Sequence, residues 1–325
     1  MKKIIKSVVA VATLAWAGLG LAQDYPTRPI TFVVPAPPGG AVDGLARALA
    51  DEMGKRLGQP IIVDNKPGAS GVLATQAVAR ANPDGYTLLL THSAPILNVP
   101  YLLPKVPYDP KRDFSYVSQV CTGQLVLAVN PKMVPARNMK DFIAWAQKNK
   151  GKVNYGSYGL GSAGHLYSAY LSQSRELDMV HVAYKGEAPM IQDLLGGQVA
   201  WGIGSLGAMA PFLENGRLAA LATIADRRPQ NLPNVPTMAE AGFSEREFKA
   251  FGWIGLLAPA NLPAPLLARI EKEARASVQS TAMKARIQVF GADPVGSSSI
   301  EFRREVETMS PVVEKMIKSS GIRFE

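Results

Sequence analysis

Cysteine is almost absent from this chain: Cys121 is the single one in 325 residues. No internal disulfide can form, so the fold must rest on its apolar core. Cys121 itself reads as a small buried hydrophobe rather than a reactive thiol. Histidine is nearly as scarce, and His92, His165 and His181 lie too far apart in sequence to suggest a metal cluster. Beyond the first 22 positions no apolar run approaches the roughly 20 residues that span a bilayer, so the mature chain is expected not to enter the membrane. There is no basic block, which removes the usual footprint of nucleic-acid or lipid binding. Internal repeats and low-complexity linkers are also missing.

The start of the chain is distinctive. Lys2, Lys3 and Lys6 precede an apolar run from Ser7 to Leu21, with the small residues Gly20 and Ala22 at its end. That is the pattern of a secretory signal peptide cleaved after Ala22. Loss of three lysines and no acids lowers the formal charge from +9 to +6. The remaining chain, about 300 residues, is long enough for two cores.

Short apolar runs alternate with amphipathic ones, which predicts an α/β protein with largely parallel sheets. Strands are expected at Ile30 to Val34, Ile61 to Val63, Tyr86 to Leu90, Leu125 to Val129, Val153 to Tyr155, Met179 to Val182, Val199 to Ile203, Ala219 to Ile224 and Trp253 to Leu257. Asp43 reads as a helix cap, followed by an apolar stripe at Leu45, Leu49, Met53 and Leu57 that Gly58 stops. Further helices are expected at Met139 to Lys148 behind Asn138, at Pro263 to Ser277 and at Ser298 to Ser319. Strands near Leu125 and Trp253 could carry the chain between two lobes and back, and two crossings make a hinge. The corresponding division is residues 23–124 with 250–325 in one lobe and 125–249 in the other.

Two glycine-rich turns, Pro35 to Asp43 and Tyr155 to His165, each follow a strand-like run and open a helix-like one. In the first, Pro35, Pro37 and Pro38 stiffen the backbone while Gly39 and Gly40 leave it bare for close approach. In the second, Gly156, Gly159 and Gly161 are joined by the hydroxyls of Ser157 and Ser162. Helix starts with unpaired N–H groups favour anions. Neither loop contains Lys or Arg, so an acid held there is gripped by dipoles rather than by a salt bridge. Taken singly, each loop could equally be a structural βα turn. Together they suggest two walls closing on one small acid.

Other residues have two readings each. His165 could bond a ligand or merely fix its loop; His92 and Ser93 sit at a strand end that could face a crevice. Tyr184 could line a pocket or cap a lobe, and Trp145, Trp201 and Trp253 are core residues by default. Gly159, Gly161 and Gly164, with Glu187 downstream, satisfy the spacing of a dinucleotide fingerprint. The alternative is therefore a secreted α/β enzyme using this loop for a nucleotide or acyl substrate. Ser157 and Ser162 each lack the glycine two residues before that a nucleophile elbow requires.

The run Val34-Pro35-Ala36-Pro37-Pro38-Gly39-Gly40 with Asp43 and Leu45-Ala46-Arg47 resembles the first loop and helix of the Bug/TctC family of periplasmic solute receptors. Asn65-Lys66-Pro67-Gly68-Ala69, Asn82 to Leu88, Tyr184-Lys185-Gly186, Asp193 to Gln198, Leu232 to Thr237 and Gly255 to Pro259 extend the resemblance along the mature chain. It implies a two-lobed Venus-flytrap fold of the type with two crossings, the first lobe taking the C-terminal helices. It further implies a monomeric, cofactor-free receptor that hands a small carboxylate to a tripartite tricarboxylate transporter or a sensor. Carried over to this sequence, the resemblance places Pro38, Gly39, Gly40 and Ala41 on one wall and Ser157, Tyr158, Gly159, Gly161 and Ser162 on the other; Pro37, Asp43, Ser93, His165 and Tyr184 join them as ligand candidates from their own positions in or beside the two loops and at neighbouring strand ends. Ala36, Val42, Tyr158 and Leu160 depart from the family pattern toward a less polar pocket, and hence toward a ligand with an apolar or aromatic body.

Overall fold

The computed structural model describes residues 25–322. The expected signal peptide lies outside the described residues. None of the described helices is long and apolar enough to cross a membrane.

The chain begins with β1 (Ile30–Val34), α1 (Ala41–Leu57), β2 (Ile61–Asn65), α2 (Val72–Ala79) and β3 (Thr87–His92). Two short helices follow, α3 (Ala94–Leu97) and α4 (Val99–Leu102), then β4 (Phe114–Gly123). The middle of the chain supplies β5 (Leu125–Val129), α5 (Met139–Lys148), β6 (Asn154–Ser157), α6 (Ala163–Ser174) and β7 (Val180–Ala183). It continues through α7 (Glu187–Gly196), β8 (Trp201–Ser205), α8 (Leu206–Glu214) and β9 (Ala219–Ile224). The last part holds β10 (Trp253–Pro259), α9 (Ala264–Val278), α10 (Thr281–Val289), β11 (Ala292–Pro294) and α11 (Ser299–Ser320).

These strands form two sheets, ordered β11-β4-β10-β3-β1-β2 and β7-β6-β8-β5-β9. The sheets are mixed rather than largely parallel. In the first, β1 pairs parallel with β2 and β3, but β10 runs antiparallel to both β3 and β4. In the second, β6 pairs parallel with β7 and β8, while β5 runs antiparallel to β8 and β9. Strands β5 and β10, which run against both neighbours, are those next to the crossings, where the chain enters a sheet from the other lobe instead of through a βαβ connection; the short edge strand β11 also pairs antiparallel, with β4. Strand β4 is absent from the sequence expectation because buried Ser115, Ser118 and Gln119 interrupt its apolar run. Its polar groups are paired instead: Ser118 Oγ donates to Ser297 O at 2.7 Å, and Gln119 N–H donates to Ser297 Oγ at 3.0 Å.

Local signals explain most helix ends. Gly58 ends α1 at φ 71°, Asn138 caps α5 by accepting Asp141 N–H, and Ser298 forms a reciprocal capping box with Glu301 before α11. Asp43 is not the cap of α1. Gly40 holds that position and Asp43 lies in the first turn.

One apolar core lies between the first sheet and α1, α9 and α10, and includes fully buried Phe32, Leu49, Met53 and Ile270. A second runs from the opposite face of that sheet into the second lobe, through Trp253, Phe302, Tyr167 and Trp201. Helix α11 packs against β4 and also against α6, so the C-terminal helix touches both sheets' layers rather than the first alone. The two crossings run side by side, with Gly123 N–H donating to Gly252 O at 2.7 Å. Tyr167 Oη pins the return crossing, donating to Lys249 O at 2.6 Å and accepting Phe251 N–H at 3.2 Å.

Candidate functional site

A cavity of about 680 Å³ lies between the layers, at the ends of β3, β4, β6 and β10. From the first lobe it is lined by Ala41 and Leu45 of α1, by Ser70, and by the segment from His92 into α4. The second lobe contributes Tyr158 to Ala163, and the crossings contribute Gly123 and Gly252. No Lys, Arg, Asp or Glu lines it among the described residues. Leu102, Leu103, Ile254 and Phe290 make much of the surface apolar.

Six of the sequence-selected residues come together on this wall: Ala41, Ser93, Tyr158, Gly159, Gly161 and Ser162. Pro37, Pro38, Gly39 and Gly40 form the turn just before Ala41 and do not line the cavity. The amides of Gly40, Ala41 and Val42 have no hydrogen-bond partner among the described residues, whereas Gly39 N–H is already given to Asp43 Oδ2 at 2.9 Å. The Asp43 carboxylate also accepts from Arg47 Nε at 3.1 Å and Asn65 Nδ2 at 2.9 Å. Burial opposes its ionisation, but these three donors win and hold the carboxyl down to about 2. Asp43 is thus a tie that shapes the first loop, with its acceptor capacity taken.

The second loop is largely self-satisfied, unlike the bare turn expected from its glycines. Gly161 N–H donates to His165 Nδ1 at 3.2 Å, Gly164 N–H to Tyr158 Oη at 3.1 Å, and His165 N–H to the Ser162 hydroxyl at 3.2 Å. The amides of Tyr158, Leu160 and Ala163 are left without a partner among the described residues. Gly161 is required twice over: its φ is +69°, and a Cβ there would sit 2.5 Å from Leu102 Cδ1 across the cleft.

Behind the loop lies a stack. His165 and His181 rings are 3.7 Å apart and 10° from parallel, and His181 Nε2 shares a 2.7 Å hydrogen bond with Ser157 Oγ. Burial, then the neighbouring His181, pushes the His165 imidazole down to about 3, and burial lowers His181 as well. Both rings are neutral at pH 7. His165 and Ser157 therefore act on the loop from beneath, out of the cavity wall. Tyr184 is also elsewhere, donating to Asp193 Oδ2 at 2.8 Å, with burial and that carboxylate raising its phenol to about 12.

The dinucleotide reading loses its acidic partner. Glu187, placed where a ribose-binding acid would stand, accepts from Ser205 N–H at 2.6 Å and Ser205 Oγ at 2.7 Å. Gly164 instead serves helix-to-strand packing under the Tyr158 ring.

Sequence reasoning gave no site role to Ser70, Asn98 or Trp253. Ser70 belongs to a turn in which Ala69, Ser70 and Gly71 all have left-handed φ values of 46°, 53° and 91°. The sequence signal was Pro67-Gly68-Ala69, quoted above without a function. Asn98 is buried and its Nδ2 donates across the cleft to Gly161 O at 3.0 Å. Trp253 is core on one side, packed edge-on to Phe302 at 4.8 Å, yet it also borders the cavity.

A two-lobed α/β protein with paired crossings and a mostly apolar cavity between its layers belongs to the class of periplasmic binding proteins. Comparison with known proteins narrows this class. Residues 45–322 match the family model described as the tripartite tricarboxylate transporter family receptor, TctC. The chain belongs to that solute-receptor family. It is 37% identical to the protein BugT of Bordetella pertussis over 288 residues, 88% of this chain and 87% of BugT. Among solved structures it is similar to Rpa4515 of R. palustris with adipate, at 32% identity and TM-score 0.76, covering 92% of this chain and 99% of the other. MatC of Rhodopseudomonas palustris with bound malate gives 30% identity and TM-score 0.72, covering 90% and 100%.

Proposed function

We propose that this protein is a secreted periplasmic receptor that closes two lobes, 23–124 with 250–325 and 125–249, on a small organic acid. It would deliver that acid to a tripartite tricarboxylate-type transporter or a sensor, acting as a monomer without cofactor or turnover. The observation that carries the reading is the meeting of Ala41 and Tyr158 to Ala163 from opposite sides on one cavity, with the Asn98–Gly161 hydrogen bond joining those sides. Unpartnered amides at Gly40 to Val42 and at Leu160 and Ala163 supply donors for a carboxylate. The relatives' adipate and malate are acids that such donors suit. Apolar walls at Leu102, Ile254 and Phe290 fit an acid with an aliphatic or aromatic body, since apolar burial contributes roughly 25 cal/mol per Å².

A thermal-shift screen of the mature protein, freed of copurifying solute, against aliphatic and aromatic acids tests this. Aromatic or chain-bearing acids should raise the melting temperature and be recovered unchanged. Preference for citrate, or chemical conversion of the bound acid, would overturn it. Uptake of the same acid in cells with and without the gene separates delivery from binding alone.

A further inference from the structure

The cavity wall holds no cation, yet one stands directly behind it. Phe290 lines the cavity together with Ala41 and Leu45 of α1. The guanidinium of Arg286, one turn earlier on α10, lies 4.9 Å from the centre of that ring. The same side chain meets the first turn of α1: a Cβ built on Gly44 would sit 3.2 Å from Arg286 Nη2 and 2.9 Å from Phe290 Cζ. Gly44 N–H donates to Gly40 O at 2.8 Å, so Gly44 closes the turn that carries the unpartnered amides of Gly40, Ala41 and Val42. Arg286 is exposed and forms no salt bridge among the described residues. The one carboxylate of that turn, Asp43, is neutralised by Arg47 Nη2 at 3.0 Å. A cation beside the positive end of a helix is electrostatically misplaced, and an anion on the turn would balance both.

We infer that Arg286 is the countercharge of the acid held in the cavity, acting through Phe290 and the first turn of α1 without entering the wall, and that it sets the preference for an acid over its neutral amide. The inference rests on the receptor reading above. The free amides and the guanidinium share one helical turn, about 5.4 Å of helix axis, which is shorter than the Debye length of about 10 Å at 0.1 M salt. The attraction therefore survives moderate salt and fades at high salt. Because the guanidinium keeps its water, the large desolvation cost of a buried ion pair is avoided. A neutral solute of the same shape gains nothing from it. Arg286 is not what holds Phe290 in place. The ring rests on Gly44, and the backbone behind it is wedged against the start of α8: a Cβ at Gly207 would lie 3.3 Å from Phe290 O, and one at Gly291 would lie 2.6 Å from Gly207 N.

The test is calorimetric titration of the mature protein with adipate, with benzoate and with the acid giving the largest thermal shift, each at about 0.01 M and about 1 M salt, where the Debye length is about 30 Å and about 3 Å. At low salt Arg286→Gln should weaken every acid that binds the parent by about threefold to tenfold. At high salt the ratio of variant to parent should fall below about twofold. Arg286→Lys, which keeps the charge and loses the planar stacking, should stay within about twofold of the parent at low salt. Lys148→Gln on α5, away from the cavity lining, makes the same change in net charge and should bind like the parent. Benzamide, the neutral analogue of benzoate, should bind the parent and Arg286→Gln alike, or neither. Unchanged affinity in Arg286→Gln at low salt overturns the inference. So does a loss that persists at high salt or is shared by Arg286→Lys, since either would mark a packing role. These results leave the receptor reading standing; failure of every acid on the parent, here and in the wider screen, overturns both.

Discussion

Replacing Gly161 with alanine separates the strain inside the second loop from the contact between the lobes. The residue has φ +69°, a region where a Cβ costs about 1–2 kcal/mol. That strain belongs to the loop itself, is present whether the lobes are apart or together, and should appear as a modest fall in melting temperature. The second effect arises across the cleft, where the new Cβ would lie 2.5 Å from Leu102 Cδ1. Leu102 must yield, at an overpacking cost of about 1–3 kcal/mol, and that cost falls on the closed state alone. Since about 1.4 kcal/mol is tenfold in affinity, the dissociation constant of a bound acid should rise roughly 5- to 150-fold. Calorimetric titration measures the affinity and differential scanning calorimetry the stability. Leu102→Ala in the same chain removes the obstructing atom and should bring the affinity back to that of Leu102→Ala alone, which lacks one apolar wall of the cavity, without restoring the melting temperature. If the single variant binds like the parent, or the double variant binds as weakly as the single, the closing contact does not work as described.

Two further outcomes follow from the loops' supports. The Asp43 carboxyl is lowered from 3.8 to about 2, so its stabilisation is present above about pH 4 and is lost as pH falls through 2; it amounts to about 2 kcal/mol. Asp43→Ala should therefore lower unfolding free energy at pH 7 and flatten its dependence on pH between 4 and 2, measured by urea titration; an unchanged acid profile would count against the tie. His165 is lowered from 6.5 to about 3, so the unfolded chain takes up its proton first, and stability should be full above about pH 6.5 and decline below it. His165→Gln should show a shallower decline between pH 7 and 5, and an equally steep one would show that the stacked imidazoles do not govern it.

Much of the architecture was legible from local chemistry. The apolar run Ile30 to Val34, buried between two parallel neighbours, is the pattern a doubly covered strand must show. Gly58, Asn138 and Ser298 announced helix ends because capping is settled within a few residues. Strand β4 was hidden because the partners that make its buried serines tolerable lie near Ser297, some 180 residues away. The direction of β10 was equally invisible, since an apolar strand pairs either way and only its entry from the other lobe decides.

The sequence alone determined an α/β chain with two glycine turns that open helices, and a set of ordered motifs sufficient to place it in its receptor family. Those features depend on residues close together in the chain, where propensity and backbone freedom act directly. Tertiary structure decided which amides stay free. Asp43 claims Gly39, His165 claims Gly161 and Tyr158 claims Gly164, so the second loop offers Leu160 and Ala163 instead of its glycines. It also brought Asn98 from one lobe against Gly161 of the other, 63 residues along the chain. Hydrogen-bond satisfaction is a property of what surrounds a group in space, and no local pattern records it.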